Sequence, residues 1–92
     1  MRINELKIEY VTSTPDKLQQ GVLYISKRFE LAIHLCACGE CGIKTVMPIA
    51  GPYKWDITYN PDETVTFRPS VGNQNFPCKS HYYITNNKID WL

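Results

Sequence analysis

Net charge is nearly absent from this sequence: ten basic residues against nine acidic ones leave +1. A protein that grips a phosphate backbone by counterion release needs a clear basic excess, so nucleic acid is not an expected partner. Long apolar runs are absent as well. Hydrophobic residues make up 43% of the chain, but no stretch is long enough for a membrane span or the core of a secretory signal. The first residues, MRINELKIEYV, carry charge at short intervals. No membrane partner and a cytoplasmic location are therefore expected. A sustained helical period is the third thing missing. KLQQGVLYISKRFELAI comes nearest, but Gly21 and its β-branched residues argue against a helix and leave room only for a helical turn near Ser26 to Phe29. No internal repeat or low-complexity linker divides the chain. With 92 residues, of which 21% are charged, it reads as one folded domain over 1–92. A core that small leaves stability marginal, so a metal or a cross-link is expected to help.

Alternation of apolar and polar residues is what the sequence does have. Ile3, Leu6, Ile8 and Tyr10 suggest a first strand, and TSTPDKLQQG a polar connection closed by glycine. GVLYIS, LAIHLCAC and KTVMPIA read as the next three strands, the last two flanking a cysteine cluster. WDITYN and TVTFRPS enclose PDE, a hairpin signal. HYYIT and KIDWL enclose Asn86 and Asn87, and asparagine tolerates positive φ in a tight turn. The expected fold class is all-β, a small domain of antiparallel hairpins with a structural zinc site. Tyr82, Tyr83, Trp55 and Trp91 read as core and cross-strand packing.

The zinc expectation rests on Cys36, Cys38, Cys41 and Cys78. C-A-C-G-E-C-G gathers three thiols, with Gly39 and Gly42 supplying the freedom a tight metal-binding turn needs. In a reducing compartment such cysteines are thiols, metal ligands or catalytic groups rather than structural disulfides. Zinc takes four tetrahedral N or S ligands, and a four-cysteine shell leaves no place for water. Such a zinc holds structure and does no chemistry. His34 and His81 compete for ligand places, since each stands close to a cysteine. Four thiolates are the simplest set, because soft sulfur suits zinc and both histidines stay free.

R-P-S-V-G-N-Q-N-F-P-C-K-S-H-Y holds a second constellation: Ser70, Gly72, Asn73, Ser80 and His81. A serine hydroxyl becomes a useful nucleophile when a positioned base takes its proton, and histidine is the natural base. Ser70 ends one expected strand and His81 opens the next. Gly72 and Asn73 could offer donors to a developing oxyanion. Ser80 and His81 are neighbours, and neighbours on a strand face opposite ways, so Ser80 would look to His34 instead. Asp56 and Asp90 are conceivable third members. On residue types alone, a serine near a loop and a histidine before two tyrosines also fit turn chemistry and a hydrogen-bonded strand residue.

A-I-H-L-C-A-C-G-x-C-G and P-S-V-G-N-x-x-F-P-C-K-S-H-Y-Y-I carry a resemblance as well. Through them the chain resembles a small bacterial zinc-binding family, catalogued as a domain of unknown function, from about Leu23 to Trp91. Its genes stand beside those for ubiquitin-like proteins and for E1-like and E2-like enzymes. The resemblance implies a serine peptidase that processes or removes the ubiquitin-like protein at its C-terminal tail. Carried over, Cys36, Cys38, Cys41 and Cys78 match the metal ligands, and Ser70, Ser80, His81 and His34 match polar positions of the motifs. It implies a ubiquitin-like partner, with the E1-like or E2-like enzymes as further ones. The competing expectation is a non-catalytic zinc module that binds one of these proteins.

Overall fold

The computed structural model describes residues 2–73 and 77–92. Alternation becomes eight strands, with no helix among the described residues. They are β1 (Lys7–Tyr10), β2 (Val22–Ser26), β3 (Leu31–Leu35), β4 (Lys44–Pro48), β5 (Asp56–Tyr59), β6 (Val65–Asn73), β7 (Ser80–Thr85) and β8 (Lys88–Trp91). They form two four-stranded sheets, β1-β2-β3-β4 and β5-β6-β7-β8.

Turn chemistry accounts for the hairpins. Asn86 and Asn87 both take positive φ, 51° and 67°, which matches the twist of the two strands they join. Between β5 and β6, the Asp62 carboxylate accepts the Thr64 N–H at 3.1 Å, and Asn60 N–H bonds Thr64 O at 2.9 Å. Ser26 to Phe29 is a turn rather than a helical one. The Ser26 hydroxyl donates to Thr12 O at 2.9 Å and accepts the Phe29 N–H at 3.2 Å.

One strand pair departs from the hairpin scheme: β1 runs parallel to β2. The polar connection before Gly21 therefore crosses over instead of turning back. It explains why all five residues of β2 are buried. One face of β2 meets the core, and the other lies under Val11, Leu18 and Leu31, around Val22, Tyr24 and Ile33. The first expected strand is also shorter. Upstream of Lys7 the chain bridges to the second sheet, with Leu6 N–H on Asn87 O at 2.7 Å and Ile89 N–H on Asn4 O at 2.8 Å.

The main core lies between the sheets. Leu6, Leu23, Ile25 and Met47 meet Val65, Phe67, Val71, Tyr82 and Ile84. Burial of this apolar area is the main driving force for the fold, at about 25 cal/mol per Å². Alternation along β7 sends Ser80, Tyr82 and Ile84 inward, and His81, Tyr83 and Thr85 outward. No helix of the described residues is long and apolar enough to cross a membrane.

Candidate active site and metal centre

The register of β6 against β7 breaks where Ser70 stands. Phe67 pairs with Ile84 and Val71 with Tyr82, so β6 uses four residue steps where β7 uses two. The extra residues make a bulge around Arg68-Pro69-Ser70, a device that re-aims side chains near functional sites. A proline fits there, because a bulged residue needs no ladder N–H. Beyond the bulge the pairs Val71↔Tyr82, Gly72↔His81 and Asn73↔Ser80 are regular. Val71 and Tyr82 are buried, so Gly72 and His81 lie on the opposite, outer face.

Ser70 Oγ and His81 Nε2 are 2.7 Å apart on that face, and both residues are half-buried. Gly72 lies between Ser70 and the far end of the strand, and a Cβ there would make an ordinary contact, 3.8 Å from His81 Cδ2. For the hydroxyl to donate, Nε2 must be the unprotonated ring nitrogen, which leaves the proton on Nδ1. No carboxylate bonds to His81 among the described residues. Asp56 lies opposite Arg68, with its carboxylate 3.6 Å from the Lys54 ammonium. Asp90 lies opposite Tyr83 and so shares the face of His81. The side chain of Asn73 lies outside the described residues.

The other two sequence candidates stand elsewhere. Ser80 is 5% exposed and its hydroxyl donates to Cys78 Sγ at 3.2 Å. His34 is fully buried, and its Nε2 meets the Tyr82 hydroxyl at 2.8 Å. Tyr82 also accepts the Ala37 N–H at 3.4 Å, so it ties the cysteine loop to the second sheet. Burial holds His34 neutral by lowering its pKa from 6.5 to about 4. Its Nδ1 is buried without a partner among the described residues. Ser70 and His81 thus meet, and neither Ser80 nor His34 joins them.

Cys36, Cys38, Cys41 and Cys78 converge, with all four Sγ atoms within 4.8 Å of one another. Cys36 Sγ is 3.6 Å from Cys78 Sγ, and Cys41 Sγ 3.8 Å from it. A tetrahedral Zn–S shell with bonds of about 2.3 Å places its sulfurs about 3.8 Å apart, so this set fits a divalent metal ion. Gly39 and Gly42 adopt φ of 75° and 64°, a conformation that lets the loop fold back on itself. As a result the N–H groups of Glu40 and Cys41 point at Cys38 Sγ, at 3.4 and 3.3 Å. Burial works to raise the Cys38 thiol, but these two N–H groups bring it below its ordinary value. Burial likewise opposes ionisation of Cys78, and the Ser80 hydroxyl and N–H carry it down to about 6. Burial pushes Cys41 up to about 12. These thiols share protons that a bound cation would displace.

Two contacts at the site were not visible in the sequence. Tyr82 read as core packing, although it also partners His34. Ser80 read as a catalytic candidate, and its hydroxyl also donates to Cys78 Sγ.

Fold and site together define a small all-β protein with an outward Ser–His pair beside a four-thiol cluster suited to a metal. The family model described as bacterial ubiquitination-like system serine protease (BubE) matches residues 10–92, and the chain belongs to that family. No curated protein and no solved structure matches it.

Proposed function

We propose that this protein is a serine peptidase that cleaves next to the C-terminal tail of a ubiquitin-like protein, with Ser70 as nucleophile and His81 as base. The observation that carries the reading is the 2.7 Å contact between Ser70 Oγ and His81 Nε2 on an accessible face. It stands in a chain whose family is described as serine proteases of a bacterial ubiquitination-like system.

The chemistry follows from that pair. Ser70 Oγ attacks the carbonyl carbon of the scissile bond while His81 Nε2 takes the hydroxyl proton. The imidazolium then gives that proton to the leaving nitrogen as the C–N bond breaks, leaving an acyl ester on Ser70. Water attacks the ester, His81 takes its proton, and the carboxylate product leaves as Ser70 regains its hydrogen. His34, buried and held neutral on Tyr82, is a structural member of the second sheet's contact with the cysteine loop.

Zinc is the metal proposed for Cys36, Cys38, Cys41 and Cys78, since soft thiolates select it. Four protein ligands leave it no open position, so it stabilises the fold rather than the transition state. Cys78 stands three residues before His81, and anchoring it there fixes where β7 begins. The working place is the cytoplasm, and the partners are the ubiquitin-like protein and the E1-like and E2-like enzymes of its system.

The test is to incubate the purified, metal-loaded protein with the ubiquitin-like precursor encoded beside it. Cleavage that disappears in Ser70→Ala and in His81→Ala, while metal and fold remain, supports the reading. Tight binding without turnover by the wild type would replace it with the non-catalytic module.

A further inference from the structure

We infer that the open edge of β6 beside Ser70 receives the substrate's tail as an added antiparallel strand, with the Gly72 main chain as its anchor. This rests on the peptidase reading above and names how that site would recognise its substrate.

The edge arises because β6 outruns its neighbour. β6 covers Val65–Asn73, but β5 pairs only with Val65 to Arg68. Upstream of Asp56 the chain peels away, and Trp55 N–H bonds Pro48 O of the other sheet at 2.8 Å. Among the described residues, no strand therefore flanks Ser70 to Asn73 on the side away from β7.

The direction of the backbone groups at that edge follows from the ladder. Leu92 N–H bonds His81 O at 2.9 Å, so the polar backbone groups of His81 point toward β8. In an antiparallel sheet a residue bonded toward one neighbour is non-hydrogen-bonded toward the other. Gly72, paired with His81, is then a non-hydrogen-bonded partner, and its own N–H and C=O point away from β7. They face the open edge. Gly72 is exposed, and no backbone hydrogen bond to it occurs outside its strand among the described residues.

A donor and an acceptor aimed the same way match the main chain of an extended peptide, as in strand addition to a sheet edge. An oxyanion wants donors alone. The Gly72 main chain, expected from the sequence as an oxyanion donor, is assigned to tail docking because its C=O is aimed the same way as its N–H. An antiparallel guest runs from Asn73 toward Ser70, so its upstream residues lie along Gly72 and its scissile bond comes to Ser70. The residue opposite Gly72 is then the third before the scissile bond, because it lies two positions upstream of the one opposite Ser70. The ligand class is an unfolded, extended tail with a free main chain; a tail held in a helix or turn has no such groups to offer.

The experiment uses the intact metal-loaded protein and synthetic peptides of the ubiquitin-like precursor's tail spanning the scissile bond. One peptide carries an N-methyl amide at the third residue before that bond, which removes the hydrogen bond to Gly72 O. A control carries it at the second residue, whose N–H points away from β6. The expected result is a fall in kcat/KM of roughly tenfold or more for the first and less than about threefold for the control, as the loss of a main-chain hydrogen bond plus steric blocking of the edge requires. Equal losses in the two peptides, with the unmodified one cleaved normally, would overturn this inference alone. No cleavage of the unmodified peptide and no reaction of Ser70 with a phosphonate would overturn the peptidase reading and this inference together.

Discussion

Ser80→Ala separates the two serines. In the structure the Ser80 hydroxyl lies 3.2 Å from Cys78 Sγ and the residue is buried, so no bulk water would replace it. A hydrogen bond to a charged acceptor contributes about 1.5–3 kcal/mol, which corresponds to roughly tenfold to hundredfold in an equilibrium constant. Loss of an outer partner of a metal ligand has effects of the same order. Ser80→Ala should therefore bind zinc ten to a hundred times more weakly, measured by competition with a chromogenic chelator. With zinc in excess, its kcat/KM on the tail peptide should stay within a few fold of wild type, because the hydroxyl does not touch His81. Unchanged zinc affinity would refute the supporting role. Lost cleavage with the metal fully bound would move the nucleophile from Ser70 to Ser80.

Cys78→Ser should lose stoichiometric zinc and cooperative thermal unfolding, since structural zinc in small domains supplies about 10 kcal/mol of folding free energy; retention of one zinc per chain, measured by elemental analysis, would bring His81 or His34 into the shell. Tyr82→Phe removes the hydroxyl that meets His34 Nε2 and Ala37 N–H, and should lower stability by about 1–3 kcal/mol in urea unfolding, with both residues buried. His34 gives a pH dependence of definite sign. Its pKa falls from 6.5 to about 4 on folding, so the unfolded chain takes the proton first and stability drops as pH falls between those values. From pH 7 to pH 5 this group should remove about 2 kcal/mol, and His34→Gln should show a correspondingly smaller acid loss. An acid loss of the same size in both proteins would assign it to the thiolates instead.

Much of the fold was legible because local rules and tertiary structure agree here. The Asn86-Asn87 turn, the PDE turn and the inward alternation of Tyr82 and Ile84 all follow from side-chain type and period. The parallel β1–β2 pair was not legible. A polar connection closed by glycine serves a crossover as well as a hairpin, and the cover that Val11 and Leu18 give β2 is a long-range fact. The cysteine set was readable from soft ligands and spacing, but which histidine stays outside it depends on contacts between sheets. Tyr82 settles where His34 goes, and it lies 48 residues away. The Ser70–His81 contact lies at the register shift around Arg68-Pro69-Ser70, and which register β6 keeps past Phe67 decides whether Ser70 falls opposite His81 or Tyr83. A bulge is set by the fit of two strands, and a proline only hints at it.

The most direct test of the central claim is a mass-spectrometric map of the zinc-loaded protein after reaction with a serine-directed phosphonate. One adduct is expected, on Ser70, formed much more slowly in His81→Ala. An adduct on Ser80, or cleavage of the ubiquitin-like precursor by a protein that forms none on Ser70, would contradict it.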